Sequence, residues 1–313
     1  MKSNPFSKKF HVGPEDHGIT LLQFLKKKCP DVSSVKSLKR AIEGRECLVN
    51  GKVEFFSSYK LIKGDVVELR TLFATGNTQS SCEIVYEDLD LIVINKPAGV
   101  VSDAEGIKQK MQISSNVSLI HRLDKDTSGL LMLAKNSKIL QSMKELFSKK
   151  EVQKFYLALV DGSLSKKSGV IDNFLGKKGS YQGQTIYGQV PEGQGERAVT
   201  HWRLLEKGLR CALMFLEPKT GRTHQLRVHL KEIGHPILGD YQYSKNFSCP
   251  IQPSRQMLHA LGLYFIHPVT KKNVILSAPL PEDFIMLAEQ IKLSLHTVSD
   301  PNFLNDLIQL QKK

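Results

Sequence analysis

His121-Arg122-Leu123-Asp124-Lys125-Asp126-Thr127-Ser128-Gly129 is the densest polar cluster in the chain, and it runs straight into the apolar segment Leu130-Leu131-Met132-Leu133. A loop feeding a buried strand is where function commonly sits. A charged turn accounts for Asp126, Ser128 and Gly129, which satisfy or relax tight backbone geometry. It does not account for Arg122 and Asp124, because a turn has no use for alternating charge.

Working outward, short apolar runs dominate. Ile84–Tyr86, Leu91–Ile94, Leu130–Leu133, Phe155–Val160, Cys211–Leu216, Leu261–Phe265 and Val274–Leu276 read as strands. Helices are interspersed irregularly. One follows Asn136 or Ser137 with the stripe Ile139, Leu140, Met143, Leu146 and Phe147; a second covers Thr223–Ile233; a final one begins near Glu282. Strict strand–helix alternation is missing, which favours an α+β domain built on a mixed, mostly antiparallel sheet over a doubly wound one. Residues 173–197, rich in Gly, Gln and Lys, read as an exposed hairpin or long loop, and 102–118 as a polar segment.

The first quarter has its own pattern. Leu21, Leu22, Phe24 and Leu25 form a helical stripe before Lys26–Lys28 and Pro30. Ser33 or Ser34 can cap a second helix, Val35 to Glu43, closed by Gly44. Cys47-Leu48-Val49, the turn Asn50-Gly51 and Lys52–Phe55 then read as a hairpin. The expected organisation is a flexible tail (1–15), a small αα/β domain (16–75), a polar linker (76–82), a large domain (83–295) and a C-terminal tail (296–313).

The chain has 313 residues, 41% of them hydrophobic, which excludes wholesale disorder. No apolar run nears the roughly 20 residues of a membrane span. Residues 1–10 carry Lys2, Lys8 and Lys9 without an apolar core behind them, so no secretory signal is read. Five scattered cysteines without CxxC spacing argue against a disulfide framework and fit buried thiols in a reducing cytoplasm. The formal net charge is +13, and residues 1–75 carry +6 of it, a density suited to a polyanion-binding module or simply to a soluble basic surface.

Neither GxxxxGK[ST] nor a strand-linked GxGxxG occurs, so no nucleotide cofactor is expected. His224, His229 and His235 invite a metal reading, but separations of five and six residues turn side chains by about 140° and 240° along a helix, off a common face. No metal is expected.

The stretch His121–Gly129 resembles the HRLDxxTSG motif of the RluA-type pseudouridine synthases, a family that modifies mainly large-subunit ribosomal RNA. Further matches follow in the family's order: Ile94-Asn95-Lys96-Pro97-Ala98-Gly99, Lys154-Phe155-Tyr156-Leu157-Ala158-Leu159-Val160, Thr220–His229, and Leu258-His259-Ala260 with His267-Pro268 and Ala278-Pro279. Residues 17–70 resemble an S4 RNA-binding domain. Two departures stand out: Val101-Ser102-Asp103 after the Lys-Pro-Ala-Gly loop, and the unassigned stretch 180–196.

The resemblance implies the pseudouridine synthase fold, no cofactor, an RNA partner of the 23S type and a monomeric enzyme. Asp124 then supplies the reacting carboxylate, and Arg222 its ion pair. Neighbours on a strand point to opposite faces, so of Phe155 and Tyr156 one enters the core and the other can stack on uracil; the family pattern selects Tyr156. Arg122 is associated with extruding the base. Lys96 either lines the RNA path or braces its loop. Lys36, Lys39 and Arg40, spaced to share a helix face, with Arg45 beyond them, are where the S4 pattern contacts RNA. His121 and Thr127 are expected to orient the loop. The competing readings are a noncatalytic RNA-binding protein on the same fold and a metal-dependent hydrolase.

Overall fold

Apolar residues on both faces of Phe155–Val160 and Cys211–Leu216 leave these segments no stable place except mid-sheet, covered on both sides. The computed structural model describes residues 8–30, 35–43, 46–54, 56–69, 82–111, 117–181, 184–208, 210–244, 246–251, 253–300 and 302–310. In it Gln153–Asp161 and Cys211–Pro218 pair antiparallel, with Leu213 opposite Leu159 and Leu216 opposite Tyr156. The chain divides into two units, Met1–Thr78 and Gln79–Lys313. Of the linker expected over 76–82, only Cys82 lies among the described residues, and it is buried.

The first unit is a four-stranded sheet in the order Lys8–His11, Val66–Leu69, Cys47–Val49, Lys52–Val53, with helices Leu21–Lys28 and Val35–Glu43. Thr20 and Gln23 form a reciprocal capping box at the start of the first helix. Asn50 and Gly51 both take positive φ, as a two-residue hairpin demands. Leu21, Phe24, Leu25, Leu38, Ile42 and Val67 are buried together. Residues 8–11, expected within a flexible tail, pair with Val66–Leu69 and close one edge of this sheet. The caps expected at Ser33 or Ser34 and at Gly44 lie outside the described residues.

Among the described residues, the second unit carries eleven strands. Its main path runs Gln184–Val190, Ser168–Tyr181, Glu196–Gly208, Cys211–Pro218, Gln153–Asp161, Leu258–Ile266, Ser128–Ala134, Leu91–Lys96, Glu83–Glu87. Asn273–Ser277 and Ser118–Leu119 pair beside it. The expected exposed segment 173–197 is a long hairpin and the start of the next strand. Among the described residues one pairing is parallel, His259 against Ser128 and Ala260 against Gly129, so the sheet is mixed and mostly antiparallel. All five cysteines are buried thiols. Among the described residues, no helix is long and apolar enough to cross a membrane.

Helix Ser137–Ser148, capped by Asn136 at Ile139, buries Ile139 and Met143. Two helical regions depart from expectation. Within the polar segment, Ala104–Met111 forms a helix capped by Asp103, with Ile107 alone fully buried. The stretch expected as a C-terminal tail holds His296–Ser299 and Phe303–Leu310, whose Val298, Leu304, Leu307 and Ile308 join the main core. Phe303 meets Phe215 edge-on at 5.7 Å.

Gly129 sits where the two parallel strands pair, opposite Ala260. Its φ is +110°, and a Cβ there would lie 2.2 Å from the carbonyl oxygen of Ala260, a clash with backbone that no rotamer relieves. Gly129→Ala is expected to lower the unfolding free energy by about 3 kcal/mol. Urea denaturation reads this directly, and an unchanged midpoint would contradict the close approach.

Candidate active site

The loop 121–129 is held along its backbone by groups from two other parts of the sheet. Ser102 Oγ donates to the Leu123 carbonyl at 2.7 Å and accepts the Leu123 N–H. Lys125 O accepts from Lys96 Nζ and from the Gly99 N–H. Arg255 donates to Asp126 O, Gln256 to Thr127 Oγ1, and Ser128 Oγ lies 2.9 Å from His259 Nδ1. His121, neutralised by burial that pushes it down to about 3, accepts the Met132 N–H. His121 and Thr127 thus orient the loop.

Of the two roles expected for Lys96, bracing the loop is the one its contacts serve. The residue is fully buried, and its ammonium donates to the carbonyls of Pro97, Val100 and Lys125 at 2.9–3.0 Å. These use all three of its donors, and burial pushes its pKa down to about 8.

Asp124 emerges from the loop with a quarter of its side chain exposed, and Oδ2 accepts from Arg227 Nη1 at 3.1 Å. The expected partner, Arg222, does not reach it. Arg222 pairs with Glu196 and donates to Arg197 O. The reason lies in where the helix starts. His224 takes the N-cap place in a left-handed conformation and the helix runs Gln225–Glu232, so Arg222 precedes it and reaches strand Glu196–Gly208. Arg227, inside the first turn, is on the buried side.

There Arg227 is fixed from several directions. Nε and Nη2 grip Asp240 in a fork at 2.7 Å each, Nη2 also donates to Gln242, and the guanidinium stacks 4.9 Å above the Tyr243 ring. Burial opposes its charge, but Asp240 and Asp124 outweigh that and raise its pKa. Tyr243 Oη lies 2.7 Å from His224 Nδ1, whose Nε2 is 3.9 Å from Asp124 Oδ1.

Tyr156 is half-buried, packed against the apolar cluster that includes Leu123 and Ala260 and against the main core. Burial, and then the charge of Asp124, raise its phenol. Lys154, two residues earlier on the same strand face, donates to Thr220 O; burial and then Arg222 push it down to about 8. Arg122 is exposed, and its guanidinium makes no ion pair or hydrogen bond with another described residue. In the first unit Lys39 is exposed, the side chains of Lys36 and Arg40 lie outside what is described, and so does Arg45 altogether.

Of the residues singled out in the sequence, the structure brings Asp124 and Tyr156 together and leaves Arg222 apart. Arg227, His224, Tyr243, Asp240 and Lys154 were not anticipated there. A signal for Arg227 existed: it follows His224 by three residues and precedes Leu230 by three, on the helix side that also buries Leu226 and Leu230.

The three histidines share no ligand sphere. His229 bonds Thr200 and Asn173, and His235 follows Gly234, whose φ of +83° ends the helix, and contacts Asp161 O. Asp88, Asp90 and His267 do cluster. His267 Nδ1, however, accepts the N–H groups of Val269 and Thr270, which leaves its proton on Nε2, facing Asp88 at 3.1 Å. A protonated nitrogen is no ligand.

The two arginines separate experimentally. Arg227→Met strands the buried Asp240 and is expected to lower stability by about 3–5 kcal/mol. Arg222→Met loses a pair with an exposed glutamate and is expected to cost less than about 1 kcal/mol. Similar denaturation midpoints for the two variants would contradict this placement.

Comparison with known proteins places this geometry. The family described as RNA pseudouridylate synthase matches residues 90–232. Ribosomal large subunit pseudouridine synthase D of Haemophilus influenzae is 32% identical over 90% of this chain and 94% of that protein. The tRNA pseudouridine synthase C of Haemophilus ducreyi is 35% identical over 66% of this chain and 95% of its own length. Among solved structures, human RNA pseudouridylate synthase domain containing 1 superposes with a TM-score of 0.57 at 27% identity, covering 70% of this chain and 98% of that one. With relatives this similar matched over nearly their whole length, the chain belongs to the RluA-type family of RNA pseudouridine synthases, which are isomerases.

Proposed function

We propose that this enzyme isomerises uridine in large-subunit ribosomal RNA, with Asp124 as the reacting carboxylate. The observation that carries the reading is the Asp124–Arg227 pair, set at the mouth of a rigid loop beside Tyr156. The reaction breaks N1–C1′, turns the uracil, and joins C5 to C1′; N1 gains a proton and C5 loses one. No electron or group leaves the nucleotide, so a positioned carboxylate and an enclosing pocket suffice.

Arg227 holds Asp124 in place and balances its charge without being consumed. Tyr156 offers a ring face to the turned-out base. Extrusion from a helix costs a few kcal/mol, and the exposed Arg122, two residues before Asp124, is suited to occupy the vacated space or hold the flanking phosphate. The basic helix of the first unit, with Lys36, Lys39 and Arg40, and Arg45 after it, docks RNA through phosphates in the manner of an S4 domain. A transfer-RNA substrate is the second reading, favoured by the similarity to a tRNA pseudouridine synthase.

Asp124→Asn is expected to abolish pseudouridine formation while leaving RNA affinity within about threefold, since the basic side chains that contact phosphates are untouched. Product from this variant would refute the role of Asp124. Mapping pseudouridine in ribosomal and transfer RNA from cells with and without the protein decides between the substrates. Deleting residues 1–75 is expected to weaken RNA binding and flatten its dependence on salt, with the slope falling by about 0.7–0.9 for each phosphate no longer neutralised. An unchanged slope would show that the first unit is not the docking element.

A further inference from the structure

Asp124 has a second edge that its ion pair leaves open. Oδ2 accepts from Arg227, while Oδ1 faces His224 Nε2 across 3.9 Å, too far for a direct hydrogen bond. His224 is held in place there. Its backbone is left-handed at φ +56°, its Nδ1 lies 2.7 Å from Tyr243 Oη, and its ring meets those of Tyr187 and Tyr243 edge-on. Tyr243 Oη already accepts the Tyr187 N–H, so its own proton is directed at Nδ1. Burial, and then the charge of Arg227, lower the pKa of the imidazole. A neutral ring that accepts at Nδ1 carries its proton on Nε2. A donor and an acceptor therefore face each other across a gap that one oxygen can bridge, at about 2.8 Å from each.

A group that fills this gap must accept from an N–H and donate to a carboxylate, which is the chemistry of a hydroxyl. Within an RNA chain the 3′ and 5′ oxygens are esterified, so a nucleotide keeps one hydroxyl, at 2′. Uracil offers its N3–H donor and its carbonyl acceptors only on separate atoms, so no single uracil atom both accepts and donates. We propose that His224 Nε2 and Asp124 Oδ1 together bind the 2′-hydroxyl of the target nucleotide, which makes His224 the residue that distinguishes ribose from deoxyribose. The assignment rests on the reading of Asp124 as the carboxylate beside C1′.

The test compares an RNA oligonucleotide carrying the mapped target uridine with its twin carrying 2′-deoxyuridine at that one position. The unsubstituted enzyme is expected to favour the ribose substrate by about ten- to a hundredfold in kcat/KM. His224→Phe, which keeps a ring but no donor, is expected to bring that ratio near unity. His224→Gln, whose amide can donate from the place of Nε2, is expected to retain most of it. The ratio is taken within each variant, so a partly unfolded preparation does not disturb it, and where turnover is too slow the ratio of affinities for the two oligonucleotides replaces it. Equal use of both substrates by the unsubstituted enzyme, or an undiminished ratio in His224→Phe, overturns the assignment of His224. Absence of pseudouridine from every RNA overturns the synthase reading of this site instead.

Discussion

A guanidinium serves two carboxylates well only if something else fixes its plane, and here Asp240 does. The Nε/Nη2 fork on Asp240 uses the planar, bidentate geometry that separates arginine from lysine. With that edge gripped, Gln242 on Nη2 and Tyr243 beneath the plane leave Nη1 aimed at Asp124. Asp124 thus meets a cation whose position was settled by contacts it takes no part in. A carboxylate held in this way is positioned before any ligand arrives, and a single side chain does it by linking residues 124 and 240 through helix Gln225–Glu232.

The loop bearing Asp124 is fixed by a different means. Its partners bind backbone atoms or the side chains of Thr127 and Ser128, and they come from opposite neighbours in the sheet: Lys96 and Ser102 from one side, Arg255, Gln256 and His259 from the other. The parallel pairing of Ser128–Ala134 with Leu258–Ile266 brings these two sides together, and only a glycine at 129 lets the strands come that close. Backbone is anchored from both sides, while the side chain of Arg122 stays exposed and that of Asp124 is left to Arg227. This division explains why so many polar residues surround the loop and so few of them face outward.

Strand identity and the position of the polar loop were legible because both are local: an apolar run specifies a covered strand, and alternating charge that no turn needs singles out Arg122 and Asp124, which the structure leaves on the side of the loop that its backbone anchors do not use. Pairings across sequence were not. Arg222 and Arg227 lie five residues apart, and which one meets Asp124 depends on the residue at which the helix begins, set by a left-handed His224 that pattern reasoning does not anticipate. Lys96 looked equally suited to RNA or to bracing, because charge on a lysine says nothing of its burial; three carbonyls converging from Pro97, Val100 and Lys125 decide it. The strand at 8–11 and the helices after 295 read as tails since their apolar residues find partners only in the folded core. Helix Ala104–Met111 buries one side chain fully and so carries almost no periodic signal.

The hairpin Ser168–Val190, part of which (180–196) had no assigned purpose in the sequence, meets the surroundings of Arg227 and His224 through polar contacts and through a small apolar cluster in which Leu175 and Tyr187 join Val228 and Tyr243. Thr185 O accepts from Gln242, the Tyr187 N–H goes to Tyr243, and Glu232 receives both the Gln189 N–H and the Asn173 amide. Each partner stands within one residue's reach of Arg227 or His224, or at the far end of the helix that carries Arg227. Polar contacts of this kind are directional and sum to little stability individually, so they fix orientation more than they hold the fold. The hairpin thus bears on the geometry around Asp124 through Gln242 and Tyr243, and the apolar contact of Leu175 and Tyr187 with Val228 and Tyr243 runs beside that polar route.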